Sequence, residues 1–235
     1  MRYSANLNVI IKAIEKATKH LSRDFVEIEN LQSNPVSANK FFNSSYNKIK
    51  EILIDEFSRF RADFNLYFAD GQQIINQANS EYNLIIFPLD GVENLVRASP
   101  DFTVAIALCH RNAADKLESI SVAISKTIGG ELYYSEKGFG AYLNNRRLRV
   151  SKRTSNNANN YLIACDDVKI SADLNIMPRN LGCRTLELCY LASARFDQVI
   201  FSPTTHQQFA PFTLLAKEAG ARIITNPDKI IISNL

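Results

Sequence analysis

The sequence predicts an α+β fold, and three observations carry that reading. Apolar residues recur at helical spacing before residue 60. Segments from 64 to 145 are β-branched and apolar in the manner of strands, and after about residue 150 strands alternate with helices. This change of pattern divides the chain into an N-terminal α+β half, 1–150, and a C-terminal α/β half, 151–235. At 235 residues the chain is long enough to bury one large core or two small halves that share one.

In residues 6–32, Leu7, Ile10, Ile11, Ile14, Leu21, Phe25 and Ile28 recur at helical spacing, and Asn34-Pro35 is expected to end that helix or begin the loop after it. A second helix is predicted from about 44 to 60, with Ile49, Ile52, Leu53 and Phe57 together. FNLYF (64–68) and YNLIIF (82–87) read as strands around a polar loop. FTVAIALCH (102–110) and ESISVAISKT (118–127) make a hairpin, which GELYYSEKGFGAYLNN (130–145) extends. In the second half NYLIACD (160–166) and FDQVIFS (196–202) are strands, and RTLELCYLASAR (184–195) is helical. QQFAPFTLLAKEAGAR (207–222) predicts one further helix, with Pro211 in its first turn and Gly220 at its C-cap.

Composition narrows the function. With 46% hydrophobic and 22% charged residues the chain resembles a soluble globular protein. Its net charge of +3 is too mild to point to nucleic acid. No apolar run approaches the ~18 residues of a membrane span. Lys12, Glu15, Lys16 and Lys19 stand where a signal peptide needs apolar residues, so the expected location is cytoplasmic. Cys109, Cys165, Cys183 and Cys189 form no C-x-x-C pair and read as reduced, buried thiols. His20, His110 and His206 stand apart, so any metal would take oxygen ligands, as Mg²⁺ does.

The stretch IIFPLDGVENLV (85–96) runs an apolar strand into a turn at Pro88 and Asp90-Gly91. An acid at that point suits either a metal or phosphate site or the capping of a turn or helix. Four segments together resemble the inositol monophosphatase family, with its bacterial SuhB-type branch most similar. IIFPLDGVENLVRASPDFTVAIAL is similar to the family's acid-Pro-Leu-Asp-Gly-Thr-Thr-Asn motif and the strand after it. GELYYSEKGFGAYLNNRRLRVS (130–151) resembles its hairpin. GCRTLELCYLASARFD (182–197) and QQFAPFTLLAKEAGARI (207–223) resemble its last two motifs, in the family's order. The resemblance implies a layered α/β/α/β/α sandwich of the inositol monophosphatase and fructose-1,6-bisphosphatase superfamily, often a homodimer. It also implies Mg²⁺-dependent hydrolysis of a phosphate monoester, in which one ion activates water and another stabilises the leaving oxygen.

Carried over residue by residue, the resemblance leaves the chemistry incomplete. The first acid of the main motif falls on Phe87, whose ring has no lone pair to offer and fills the space of an ion. The second acid is present as Asp90, and the upstream acidic pair leaves Asp70 in FADGQQ. The earliest acid falls on Asn47 and the last-motif acid on Gln208, whose amide brings no charge. The two Thr positions become Val92 and Glu93, so Gly91, Val92 and Glu93 are what remains of a phosphate-binding loop, and no residue is assigned a catalytic role. Glu93 would repel a dianion at ~4–5 Å by several kcal/mol.

The expectation is therefore a family member impaired by loss of Mg²⁺-binding acids and serving a binding or structural role, as a homodimer or with a protein partner. The alternative is an Mg²⁺-dependent phosphatase, acting on inositol-1-phosphate or a related sugar phosphate through a rearranged cluster of Asp70, Asp90 and Glu93. Elsewhere, Arg146, Arg147, Arg149, Lys152 and Arg153 read as a solvated face. Leu186, Leu188 and Leu191 read as core or subunit interface, and Lys217 and Glu218 as the outer face of their helix. DKIIISNL resembles the strand before the family's final short helix, so its surface is expected to need another cover.

Overall fold

The computed structural model describes residues 4–61, 63–78, 80–112, 116–154, 161–165 and 176–234. The tip of the predicted loop at 113–115, and residues 160 and 166 of a predicted strand, lie outside them.

The expected N-terminal helix is two helices, α1 (Ala5–Thr18) and α2 (Leu21–Asn30). Ser4 caps α1 by accepting from the Leu7 N–H at 3.2 Å. The turn at Lys19 and His20 redirects the chain so that Leu21 and Ile28 share a core with Ile10 and Ile14, an arrangement that tertiary burial decides. Asn34-Pro35 proves to be a start and not a stop. Asn34 accepts from the Ser37 N–H at 3.2 Å and Pro35 opens α3 (Pro35–Phe60), which therefore begins well before the expected 44.

The chain then builds β1 (Asn65–Phe68), β2 (Gln73–Ile74), β3 (Tyr82–Asp90), the short α4 (Val92–Val96), β4 (Thr103–Arg111) and β5 (Leu117–Lys126). β6 (Glu131–Glu136), β7 (Gly140–Leu143) and β8 (Arg146–Arg147) complete a sheet ordered β2-β1-β3-β4-β5-β6-β7-β8. Among the described residues only β1 and β3 run parallel in it. A second sheet comprises β9 (Tyr161–Cys165), β10 (Ile176–Arg179), β11 (Gln198–Phe201), β12 (Arg222–Thr225) and β13 (Ile230–Ser233), ordered β10-β9-β11-β13-β12. Between these strands in sequence lie α5 (Arg184–Ala192), α6 (Pro203–Phe209), a 3₁₀ turn (Ala210–Phe212) and α7 (Thr213–Glu218). The single helix expected over 207–222 is thus interrupted, because Pro211 lacks an N–H and clashes with the carbonyl four residues back.

The layers follow from strands buried on both faces. Val104, Ile106 and Leu108 of β4 pack toward α1, α2 and α3, while Ala105 and Ala107 face α5, α7 and the second sheet. Among the described residues helices, sheet, helices and sheet therefore succeed one another, a mixed α and β layering that gives four of the five layers that the motifs implied. Leu186, Leu188 and Leu191 are core. Two surface expectations change. Glu218 is not simply an outward residue, since its carboxylate accepts from the N–H groups of Gly138 and Gly140 at 2.8 Å each. Arg153 leaves the solvated face of Arg146, Arg147, Arg149 and Lys152 and donates to the buried Asp197 at 2.7 Å. Among the described residues no helix is long and apolar enough to cross a membrane.

Candidate functional site

Because β1 and β3 are parallel neighbours, both strands deliver their following residues to the same end of the large sheet. The Ala69 N–H donates to the Ile86 carbonyl at 2.9 Å, which sets Asp70 beside the run Phe87 to Asp90. Between Phe87 and Asp90 the pairing with β4 slips, and the irregularity re-aims the strand end. Gly91 follows at φ +83°, where an added Cβ would lie 2.9 Å from the Asp101 carbonyl oxygen and 3.1 Å from Cys183 Cβ. Only glycine fits that turn.

Asp90 is 8% exposed and looks inward. Its Oδ2 accepts from the Thr185 N–H and the Thr185 hydroxyl, each at 2.7 Å, and from the Cys183 thiol at 3.4 Å. Thr185 Oγ1 also lies 2.5 Å from Thr103 Oγ1 on β4. Cys183 is the N-cap residue of α5 and makes no side-chain cap bond there, so the carboxylate of Asp90 supplies the acceptor from another element. Burial pushes the Asp90 carboxyl above its usual range, against the pull of Thr185, Cys183 and the Arg184 charge. Burial, followed by the charge of Asp90, also raises the Cys183 thiol and keeps it a donor.

Phe87 turns into an aromatic cluster. Its ring centroid lies 4.8 Å from that of Phe209 and 5.3 Å from that of Phe212, the latter pair edge-on at 85°. Gln208 does not join it. Phe209 faces the core from α6, and the preceding residue is rotated about 100° around the helix, so Gln208 is exposed. Val92 and Glu93 occupy the first turn of the five-residue α4, and both are exposed. Asn47 is exposed on α3.

Asp70 carries partners that sequence reasoning missed. Its Oδ2 pairs with the Lys50 ammonium and accepts from the Tyr46 hydroxyl at 3.2 Å, while Oδ1 accepts from the Gln72 N–H at 3.1 Å. Burial works against the charged form, but Lys50, the Gln72 N–H and Tyr46 outweigh it and hold the carboxyl below its usual value. Tyr46 and Lys50 are spaced i, i+4 on α3, a signal present in the sequence that would have paired them on one face.

The fold thus brings Asp70, Phe87 and Asp90 to one end of a sheet and leaves Val92, Glu93 and Gln208 facing solvent. Among the described residues no group of three or more His, Cys, Asp or Glu side chains is placed to hold a metal ion. Asp90 is committed to a helix terminus and Asp70 to an ammonium. This donor set does not fit Mg²⁺, which needs several converging oxygens to replace water.

The sequence model of the inositol monophosphatase family matches residues 2–229. The chain belongs to that family. It is 30% identical over 235 residues to an inositol-1-monophosphatase of Rhizobium meliloti, covering 94% of this chain and 85% of the relative. It is 26% identical over 236 residues to a protein named Nus factor SuhB in Vibrio cholerae, covering 94% and 84%. Among solved structures, the extragenic suppressor protein SuhB of Bartonella henselae superposes with a TM-score of 0.82 at 27% identity, covering 98% of this chain and 94% of that one. The inositol monophosphatase fold is therefore intact around a sheet end at which Asp90 meets the start of α5 and Asp70 meets Lys50.

Proposed function

We propose that this member of the inositol monophosphatase family does not turn over phosphate esters and serves a binding or structural role on the family scaffold. One observation carries the reading. Where the resemblance expects the first metal-binding acid, the Phe87 ring packs against Phe209 and Phe212. Hydrolysis in this family's manner needs an ion to lower the pKa of the attacking water. A ring supplies neither charge nor lone pair. The nearby carboxylate of Asp90 is spent on the N-terminus of α5, and Glu93 faces away into solvent.

The test is hydrolysis of inositol-1-phosphate with Mg²⁺, run beside calorimetric titration with Mg²⁺, Mn²⁺ and Ca²⁺. No turnover above background and no heat at millimolar metal are expected. Turnover near an enzyme's rate that disappears in Asp90→Asn would overturn the proposal and favour a phosphatase rebuilt on Asp70, Asp90 and Glu93.

A further inference from the structure

The aromatic cluster explains how one acid position is closed, but not why Asp70, a partly exposed carboxylate at the same sheet end, should be closed to a divalent ion. Lys50 supplies the answer. Its side chain is 11% exposed although it carries a charge, and its ammonium lies 4.9 Å from the Phe68 ring centroid and 5.9 Å from that of Tyr46. Two aromatic faces and one carboxylate therefore hold a cation from three sides. The tether is short and stiff, because Lys50 and Tyr46 stand one turn apart within the 26-residue α3. Phe68 ends β1, and the Ala69 N–H donates to the Ile86 carbonyl, so strand and helix fix the carboxylate and its counter-ion against each other.

We infer that Lys50 is a built-in cation that occupies Asp70 in place of a divalent ion. The inference rests on the reading of the site above and extends it. That reading says the acids are too few, whereas this one says that an acid still present is neutralised by the chain itself. An incoming Mg²⁺ would have to share the carboxylate with an ammonium whose charge repels it and whose position is set by packing.

Paramagnetic line broadening by Mn²⁺ in amide correlation spectra tests it, because it detects weak, localised binding without requiring activity. The wild-type protein should show no selective loss of the Gly71 and Gln72 amide signals at sub-millimolar Mn²⁺. Lys50→Met, which keeps the aliphatic stem, should lose those signals at least several-fold faster than the rest of the spectrum, and Lys50→Met/Asp70→Asn should not. Lys50→Gln keeps a hydrogen-bond donor but no charge and should behave like Lys50→Met; it also covers the case in which the methionine variant fails to fold. Selective broadening in the wild type would overturn the inference, as would its absence in folded Lys50→Gln. Failure of the two readings is distinguishable. Phosphatase turnover by a wild type whose Asp70 loop stays unbroadened removes only the proposed loss of function. A silent Lys50→Gln beside an inactive wild type removes only the role of Lys50.

Discussion

At one end of the large sheet, two residues of the same motif sit in opposite surroundings. Phe87 joins Phe209 and Phe212 in a ring cluster, whereas Asp90, three residues later, keeps its charge-bearing side chain in a buried polar knot with Thr103, Cys183 and Thr185. The difference lies in how many jobs each side chain does. The ring at position 87 borders the apolar surface of the 3₁₀ turn and gains contact area with nothing left unpaired. The carboxylate of Asp90 satisfies an orphan donor of α5, so its removal would strand a buried N–H, a hydroxyl and a thiol.

The largest expected effect comes from breaking the apolar side. Phe212→Ala removes a fully buried ring and should cost about 3–5 kcal/mol in chemical denaturation. A loss near zero would show that the ring cluster is not part of the core. The polar side should respond according to chemistry and not size. Asp90→Ala, which leaves the Thr185 donors unmet, should cost ~2–3 kcal/mol, while Asp90→Asn keeps an acceptor and sheds a buried charge, costing under ~1 kcal/mol. Equal losses in the two variants would mean that the charge itself is what the α5 terminus needs.

The smallest effect is a pH dependence that isolates Asp90. Its folded pKa is raised by burial above the ordinary 3.8 of an aspartate, so its contribution to stability is present below that value and is lost as pH rises through the folded pKa. Wild type should therefore gain on Asp90→Asn as pH falls from neutral toward 3.8. His20 and His206 act in the other direction. Burial lowers both from 6.5, so their contribution is present above 6.5 and is lost as pH falls through the folded pKa. Both chains share those histidines, and the difference between their pH profiles removes them. A flat difference would mean that Asp90 stays ionised throughout.

Much of this was legible in the order of the residues. The strands β3, β4 and β5 lie within a few residues of their expected bounds, because β-branched runs buried on both faces leave little choice of conformation. Phe87, Val92 and Gln208 stood out as misfits because the surrounding motifs were so regular. Other features depended on contacts that a local window does not contain. Asn34-Pro35 can stop one helix or start another, and only the Ser37 N–H bond to Asn34 decides between them. The break at Lys19 and His20 has no proline or glycine to announce it.

By itself the sequence determined the family and the α+β class, since those are matters of residue type and order along the chain. Only the tertiary structure decided what Asp70 and Asp90 do. Asp90 meets Thr185 across 95 residues, and Asp70 meets Lys50 across 20. A carboxylate's role is set by whichever donor or cation comes within hydrogen-bond distance, and that distance exists only once the helices have docked on the sheet.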